Sequence, residues 1–113
     1  MVSIMEARTG YVRVSGYAIK LRRVINATLS DYYKKGELDS GKVNEKISNI
    51  NSELFKVIVD ELKIPKEAIV NITLSFEPDK EEGLKINGVS VHVFKEDKEL
   101  SDKATEAAKK VLL

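Results

Sequence analysis

The sequence predicts an α+β fold: a helical hairpin packed on one face of a small antiparallel sheet, in the order β-α-α-β-β-α. Three observations predict it. Apolar residues recur at helical spacing from Ala18 to Leu62 and change, beyond Pro65, to alternation from Val70 to Phe94. Only a few residues join the two helical stretches, the spacing of antiparallel neighbours. The apolar face of the second stretch is too wide for one partner helix and needs a sheet to lie on.

Residues Met1 to Glu6 show no period and read as a frayed end or a short lead-in strand. From Tyr11 to Ser15 the alternation turns Val12 and Val14 to one side and Tyr11, Arg13 and Ser15 to the other, as in a strand covered on one face. Ser15 and Gly16 then offer N-cap chemistry for a helix with a stripe of Ala18, Leu21, Ile25, Thr28, Leu29 and Tyr32. Gly36 is its expected stop, and Lys34 and Lys35 suit the negative end of the helix dipole. A second helix, capped by Asp39 or Ser40, runs to about Lys63 on a stripe of Val43, Ile47, Ile50, Leu54, Val57, Ile58 and Leu62, widened by Phe55.

The strands follow. Val70, Ile72, Leu74 and Phe76 alternate with Asn71, Thr73, Ser75 and Glu77, giving one buried and one polar face. After a charged turn from Pro78 to Gly83, a partner strand runs from Leu84 to Phe94. Its apolar phase slips from even to odd positions at Asn87-Gly88, where a bulge is expected. A last helix, about residues 101–112, starts at Ser101 and carries a narrow stripe of Ala104, Ala107, Ala108, Val111 and Leu112; being short, it must dock on the body or on a second copy of the chain.

With 113 residues, 42% of them apolar, the chain can bury one core, so residues 1–113 are expected to form a single domain. No apolar run is long enough for a bilayer and no secretory signal opens the chain, so a soluble, cytoplasmic protein is expected. The absence of cysteine excludes disulfides, Cys-type zinc sites and thiol nucleophiles. A net charge of +1 hides an asymmetry. Residues 1–35 hold seven cations (Arg8, Arg13, Lys20, Arg22, Arg23, Lys34 and Lys35) against Glu6 and Asp31, whereas the rest holds 12 cations and 16 acids. Such asymmetry suggests a polyanionic partner, although Lys/Glu-rich chains poor in Cys, Met and Trp are also what thermophile surfaces look like.

Between Gly10 and Lys35 aromatic rings and cations interleave as nowhere else in the chain. Cations neutralise phosphates and rings stack on unpaired bases, so the mixture suits single-stranded nucleic acid. Lys34 and Lys35 have the ordinary explanation of helix termini; Arg22 and Arg23, in mid-helix, do not. The open face of the sheet adds Tyr11, Arg13, Asn71, Thr73, Ser75, Ser90, His92 and Phe94, a platform in physical terms and also the ordinary polar face of an α+β sandwich. His92, the single histidine, lacks companions for a metal and a nucleophile for catalysis. No enzyme, cofactor or metal is expected.

The strand Thr9-Gly10-Tyr11-Val12, the turn Gly16-Tyr17-Ala18 into Lys20-Leu21-Arg22-Arg23 with the helix that follows, and the strand Asn71-Ile72-Thr73-Leu74-Ser75-Phe76 resemble a family of small archaeal proteins related to the ThermoDBP single-strand-binding proteins of thermophiles. The resemblance covers roughly residues 8–95. It implies a helix-backed antiparallel sheet that binds single-stranded DNA or RNA, with little sequence preference, in a basic groove with apolar and aromatic walls. To that groove it assigns Arg13, Tyr17, Lys20, Arg22 and Arg23. The chain departs from it in having no Trp and few aromatic residues. The expectation is a non-catalytic binder of single strands, with Arg13, Lys20, Arg22 and Arg23 on phosphates, Tyr11, Tyr17 and Phe94 stacking on bases, and His92 a solvated or stacking member of the same site. The alternative is a homo-oligomeric interaction module that dimerises through the last helix and an unpaired sheet edge.

Overall fold

Strand β3 (Ile69–Asp79) is the spine of a four-stranded antiparallel sheet. The structure, a computed structural model, describes residues 4–113. Along one edge of β3 runs β4 (Gly83–Phe94); along the other, β1 (Met5–Arg8) and then β2 (Val12–Arg13) take turns. The helices are α1 (Tyr17–Thr28), α2 (Ser30–Lys34), α3 (Ser40–Phe55) and α4 (Lys98–Leu112). None of the described helices is long and apolar enough to cross a membrane.

The alternation in β3 is realised as read: Val70, Ile72, Leu74 and Phe76 are buried under the helices and their neighbours are not. Ala7, Leu21, Ile25, Val43, Ile47, Leu74, Phe76 and Leu84 form one core cluster; Val14, Tyr17, Ile58, Val70 and Ile72 form a second, and Leu54 packs against both. Truncating a side chain as enclosed as Phe76 to alanine would cost about 3–5 kcal/mol. The register of β4 shifts between Ser75 and Phe76, which face Gly88 and Ile86 and leave Asn87 as the extra residue. The bulge therefore lies where the apolar phase slips.

Other elements depart from the sequence reading. Of the lead-in stretch Met1 to Glu6, residues 1–3 lie outside the described residues, and Met5 and Glu6 belong to β1. The strand expected over Tyr11–Ser15 is only Val12–Arg13, because Val14 N–H donates to Ala68 O and Ser15 N–H to Lys66 O, curling residues 14–16 into a 3-10 turn. At the break between β1 and β2, Gly10 has φ 68° and the hydroxyl of buried Thr9 accepts from Ile72 N–H at 3.0 Å. A side chain thus stands in for the missing ladder acceptor.

The first helix breaks at Leu29, where Thr28 Oγ1 donates back to Val24 O at 2.8 Å, a contact that bends helices. The stop at Gly36 is as expected: φ is 71°, and Gly36 N–H and Glu37 N–H donate to Tyr33 O and Tyr32 O. Asp39 caps α3 by accepting from Gly41 N–H at 2.8 Å. Beyond Phe55 the helix loosens into a π-helical segment, Lys56–Glu61, with Leu62 N–H reaching Val57 O. The wider turn rotates the stripe, so Ile58 is buried while Val57 and Leu62, expected beside it, are exposed. The last helix starts earlier than read, at Lys98, capped by Asp97, and buries none of its residues.

Candidate nucleic-acid interface

The antiparallel packing of α1 and α3 leaves a groove of about 930 Å³ on the helical layer. α1 contributes Ala18, Ile19, Arg22, Arg23 and Asn26, and α3 contributes Ser48, Asn51, Ser52 and Phe55; Val14, Ser15, Val59 and Lys66 close one end. The helical period explains the α1 set. With Tyr17, Leu21 and Ile25 turned to the core, residues 18, 22 and 26 fall on one flank, and 19 and 23 stand outward of it.

Three cations, Arg22, Arg23 and Lys66, line this groove and no Asp or Glu does. None of the three joins an ion pair among the described residues, whose salt bridges all lie elsewhere. Between the cations stand apolar groups open to solvent: Ile19 is 68% exposed and Phe55 is 46% exposed. Cations on a rim around exposed apolar surface are what a flexible polyanion with planar apolar bases requires.

Tyr17 lies in the floor. Its ring is 3% exposed, and its hydroxyl donates to Asn51 O at 2.8 Å, while burial pushes its pKa above the usual 10. The expectation that Tyr17 presents a ring for stacking is corrected here, since a ring enclosed in the core has no face to offer. Lys20, half-buried on α1, lies outside the groove lining. It projects from the opposite flank of that helix, so it is not one of the groove cations.

The other expected residues gather on the open face of the sheet. Cross-strand partners share a face, and the register sets Arg13, Ile69 and Phe94 in one row and Asn71 with His92 in the next. Tyr11, 72% exposed, meets the Phe94 ring edge-on at a centroid distance of 5.1 Å. Arg13 and His92 are exposed there. Glu6 and Glu77 stand on the same face, Glu6 paired with Arg8 at 3.3 Å. The early cations and rings therefore do not converge on one patch: Arg22 and Arg23 belong to the groove, and Tyr11, Arg13, His92 and Phe94 to the sheet's far side.

Lys66, Ile19 and Phe55 also line the groove, at positions that the cation and aromatic pattern of residues 10–35 does not single out. Ile19 carried a signal, being apolar and off the buried stripe. Lys66, after Pro65, carried none. Among the described residues no three His, Asp or Glu side chains cluster as a metal site.

The model of the archaeal ThermoDBP-related family matches residues 7–84, which include the second half of β1, β2, β3, the helices α1 to α3 and every groove residue. Among solved structures, apeThermo-DBP-RP2 bound to the single-stranded DNA dT10 is similar to this chain at a TM-score of 0.78 and 28% identity. The likeness covers 97% of this chain and 53% of that one, so this chain spans about half of that chain's length. No curated protein matches it. From its fold, its acid-free basic groove and the match over residues 7–84, the chain belongs to the archaeal ThermoDBP-related family.

Proposed function

We propose that this protein binds single-stranded nucleic acid, DNA in the first instance, without catalysing a reaction, and that the strand lies in the groove between α1 and α3. One observation carries the reading: three unpaired cations surround exposed apolar side chains on a lining that holds no carboxylate. Arg22, Arg23 and Lys66 meet phosphates, and Ile19 and Phe55 receive base faces. None of these contacts reads a base edge, so sequence preference is low and RNA is accepted as well. Tyr11, Arg13, His92 and Phe94 form a second, weaker surface on the sheet, and Lys20 adds only to the field around α1. The likeness to a protein crystallised with dT10 supports single-stranded DNA as the partner. A cytoplasmic setting is part of this reading.

The test is a fluorescence anisotropy titration of labelled dT10 at several salt concentrations. Affinity should fall steeply as salt rises, because counterions released from the strand drive binding. Absence of binding at low salt, or affinity indifferent to salt, would defeat the reading.

A second reading, assembly into a homodimer, is favoured by α4 and β4. Leu100, Val111 and Leu112 on α4 are exposed, as are Val89, Val91 and Val93 on the helix-side face of β4, and the outer edge of β4 pairs with nothing among the described residues. In this reading the chain is one domain whose last helix serves assembly. Sedimentation velocity over a range of protein concentrations tests it: a dimer at low micromolar concentration supports it and a monomer throughout refutes it.

A further inference from the structure

Arg22 is the groove cation that the protein itself holds in place. Its Nη1 donates to Asn44 Oδ1 at 2.8 Å and to Asn44 O at 3.2 Å, and its Nη2 donates to Ser48 Oγ at 2.7 Å. All three acceptors are neutral. A guanidinium has five N–H donors, so Nε–H and a second Nη2–H are left with no acceptor among the described residues.

We propose that Asn44, which is not part of the groove lining, is the positioning residue of a pre-formed phosphodiester subsite centred on Arg22. This rests on the groove reading above and adds how the groove keeps its central cation available. Asn44 can face Arg22 only through its oxygen, because its Nδ2 donates to Ser40 O at 2.8 Å and to Asn26 Oδ1 at 3.2 Å. Asn26 answers by donating Nδ2 to Asn44 Oδ1 at 2.9 Å, and its own oxygen is fixed by the Tyr33 hydroxyl at 2.7 Å. A relay thus runs from Tyr33 on α2 through Asn26 on α1 and Asn44 on α3 to Arg22. Reversing either amide would set donor against donor.

The charge at position 44 decides what the relay does. A carboxylate there would accept from Arg22 equally well, and it would also cancel the charge that a phosphate needs. The amide holds the guanidinium without neutralising it. A fork already oriented loses less freedom when an oxyanion arrives, so the subsite is preorganised.

The experiment compares the full chain with Asn44→Asp, Asn44→Ala, Arg22→Ala and the double variant Asn44→Ala/Arg22→Ala. Labelled dT10 is titrated across salt concentrations and thermal unfolding is recorded for each. Arg22→Ala should weaken binding about tenfold. It should also lower the slope of log affinity against log salt by about 0.7, the share of one phosphate on a single strand. Asn44→Asp should lower that slope equally, because its carboxylate neutralises Arg22, while its unfolding midpoint falls with the loss of the Nδ2 bonds to Ser40 O and Asn26 Oδ1; a merely structural Asn44 would move the midpoint and leave the slope unchanged. Asn44→Ala should weaken binding several-fold in the native background and not at all once Arg22 is gone. Should Asn44→Ala fail to fold, the near-isosteric Asn44→Asp carries the decision. An unchanged slope in Asn44→Asp, or additive effects in the double variant, would overturn the positioning role while leaving the groove intact. Failure of the native chain to bind dT10 would overturn the groove reading and the subsite with it.

Discussion

In the helical groove, Arg22, Arg23 and Lys66 stand around exposed Ile19 and Phe55 with no carboxylate on the lining, whereas on the open sheet face Arg13, His92, Tyr11 and Phe94 share their surface with Glu6 and Glu77. The residue types are alike and the electrostatics are not. On the sheet, Arg8 already has a carboxylate partner in Glu6 at 3.3 Å, and the aromatic pair spends part of its ring surface on itself. In the groove the one tethered cation, Arg22, is tied only to neutral oxygens. Cations mark a polyanion site when acids are kept away from them, and a count of lysines and arginines along a chain does not report that.

The comparison breaks most easily at the cations. Arg22→Ala combined with Arg23→Ala should weaken dT10 binding about a hundredfold at low salt and lower the salt slope by about 1.4, two single-strand phosphates' worth. Anisotropy titrations check both, and Arg13→Ala on the sheet should change each far less. Rings sharpen the contrast further. Phe55→Ala should weaken binding about tenfold, in keeping with roughly 1–3 kcal/mol for a base stacked on an aromatic ring, and Phe94→Ala by less than about threefold. The reverse order in the same assay would move the strand to the sheet.

The smallest effect belongs to the groove floor. Tyr17→Phe removes a hydroxyl that no strand reaches, so dT10 affinity near neutral pH should change by less than about twofold, while the lost bond to Asn51 O costs about 1 kcal/mol of stability. Its signature is alkaline. Burial raises the Tyr17 and Tyr33 hydroxyls above the usual 10, so the folded state keeps protons that the unfolded chain releases. Their contribution is present below about pH 10 and is lost as pH climbs through the raised folded values. Urea unfolding midpoints should therefore decline above pH 10, and less steeply in Tyr17→Phe.

How much of this was legible follows the physics of each element. β3 and most of α3 could be read because one buried face imposes an unbroken period, and the Asn87-Gly88 irregularity because the apolar phase slips there, which a bulge or a local turn would absorb and a bulge does. The break at Leu29 could not be read, since a threonine back-bond rather than glycine or proline makes it. The π-helical segment rotated Val57 and Leu62 off a stripe that looked continuous. It is ended by Lys63 at φ 56°, where glycine is the usual residue, so no signal marked it. At the site, Arg22 and Arg23 were visible as mid-helix cations without a capping role. Their separation from Arg13 and Phe94 was not, because it depends on which layer of the sandwich each element joins. Lys66 stands at the groove on a loop tied by Ser15 N–H to its carbonyl and by Val14 N–H to Ala68 O, long-range contacts that local patterns do not carry.

The most direct measurement of where the strand lies is an amide chemical-shift map of the isotopically labelled chain titrated with dT10. The largest changes are expected at Ala18, Ile19, Arg22, Arg23, Ser52 and Phe55, with Asn71, Ser90 and His92 nearly still. Changes concentrated on β3 and β4, with the α1–α3 groove silent, would contradict the groove placement.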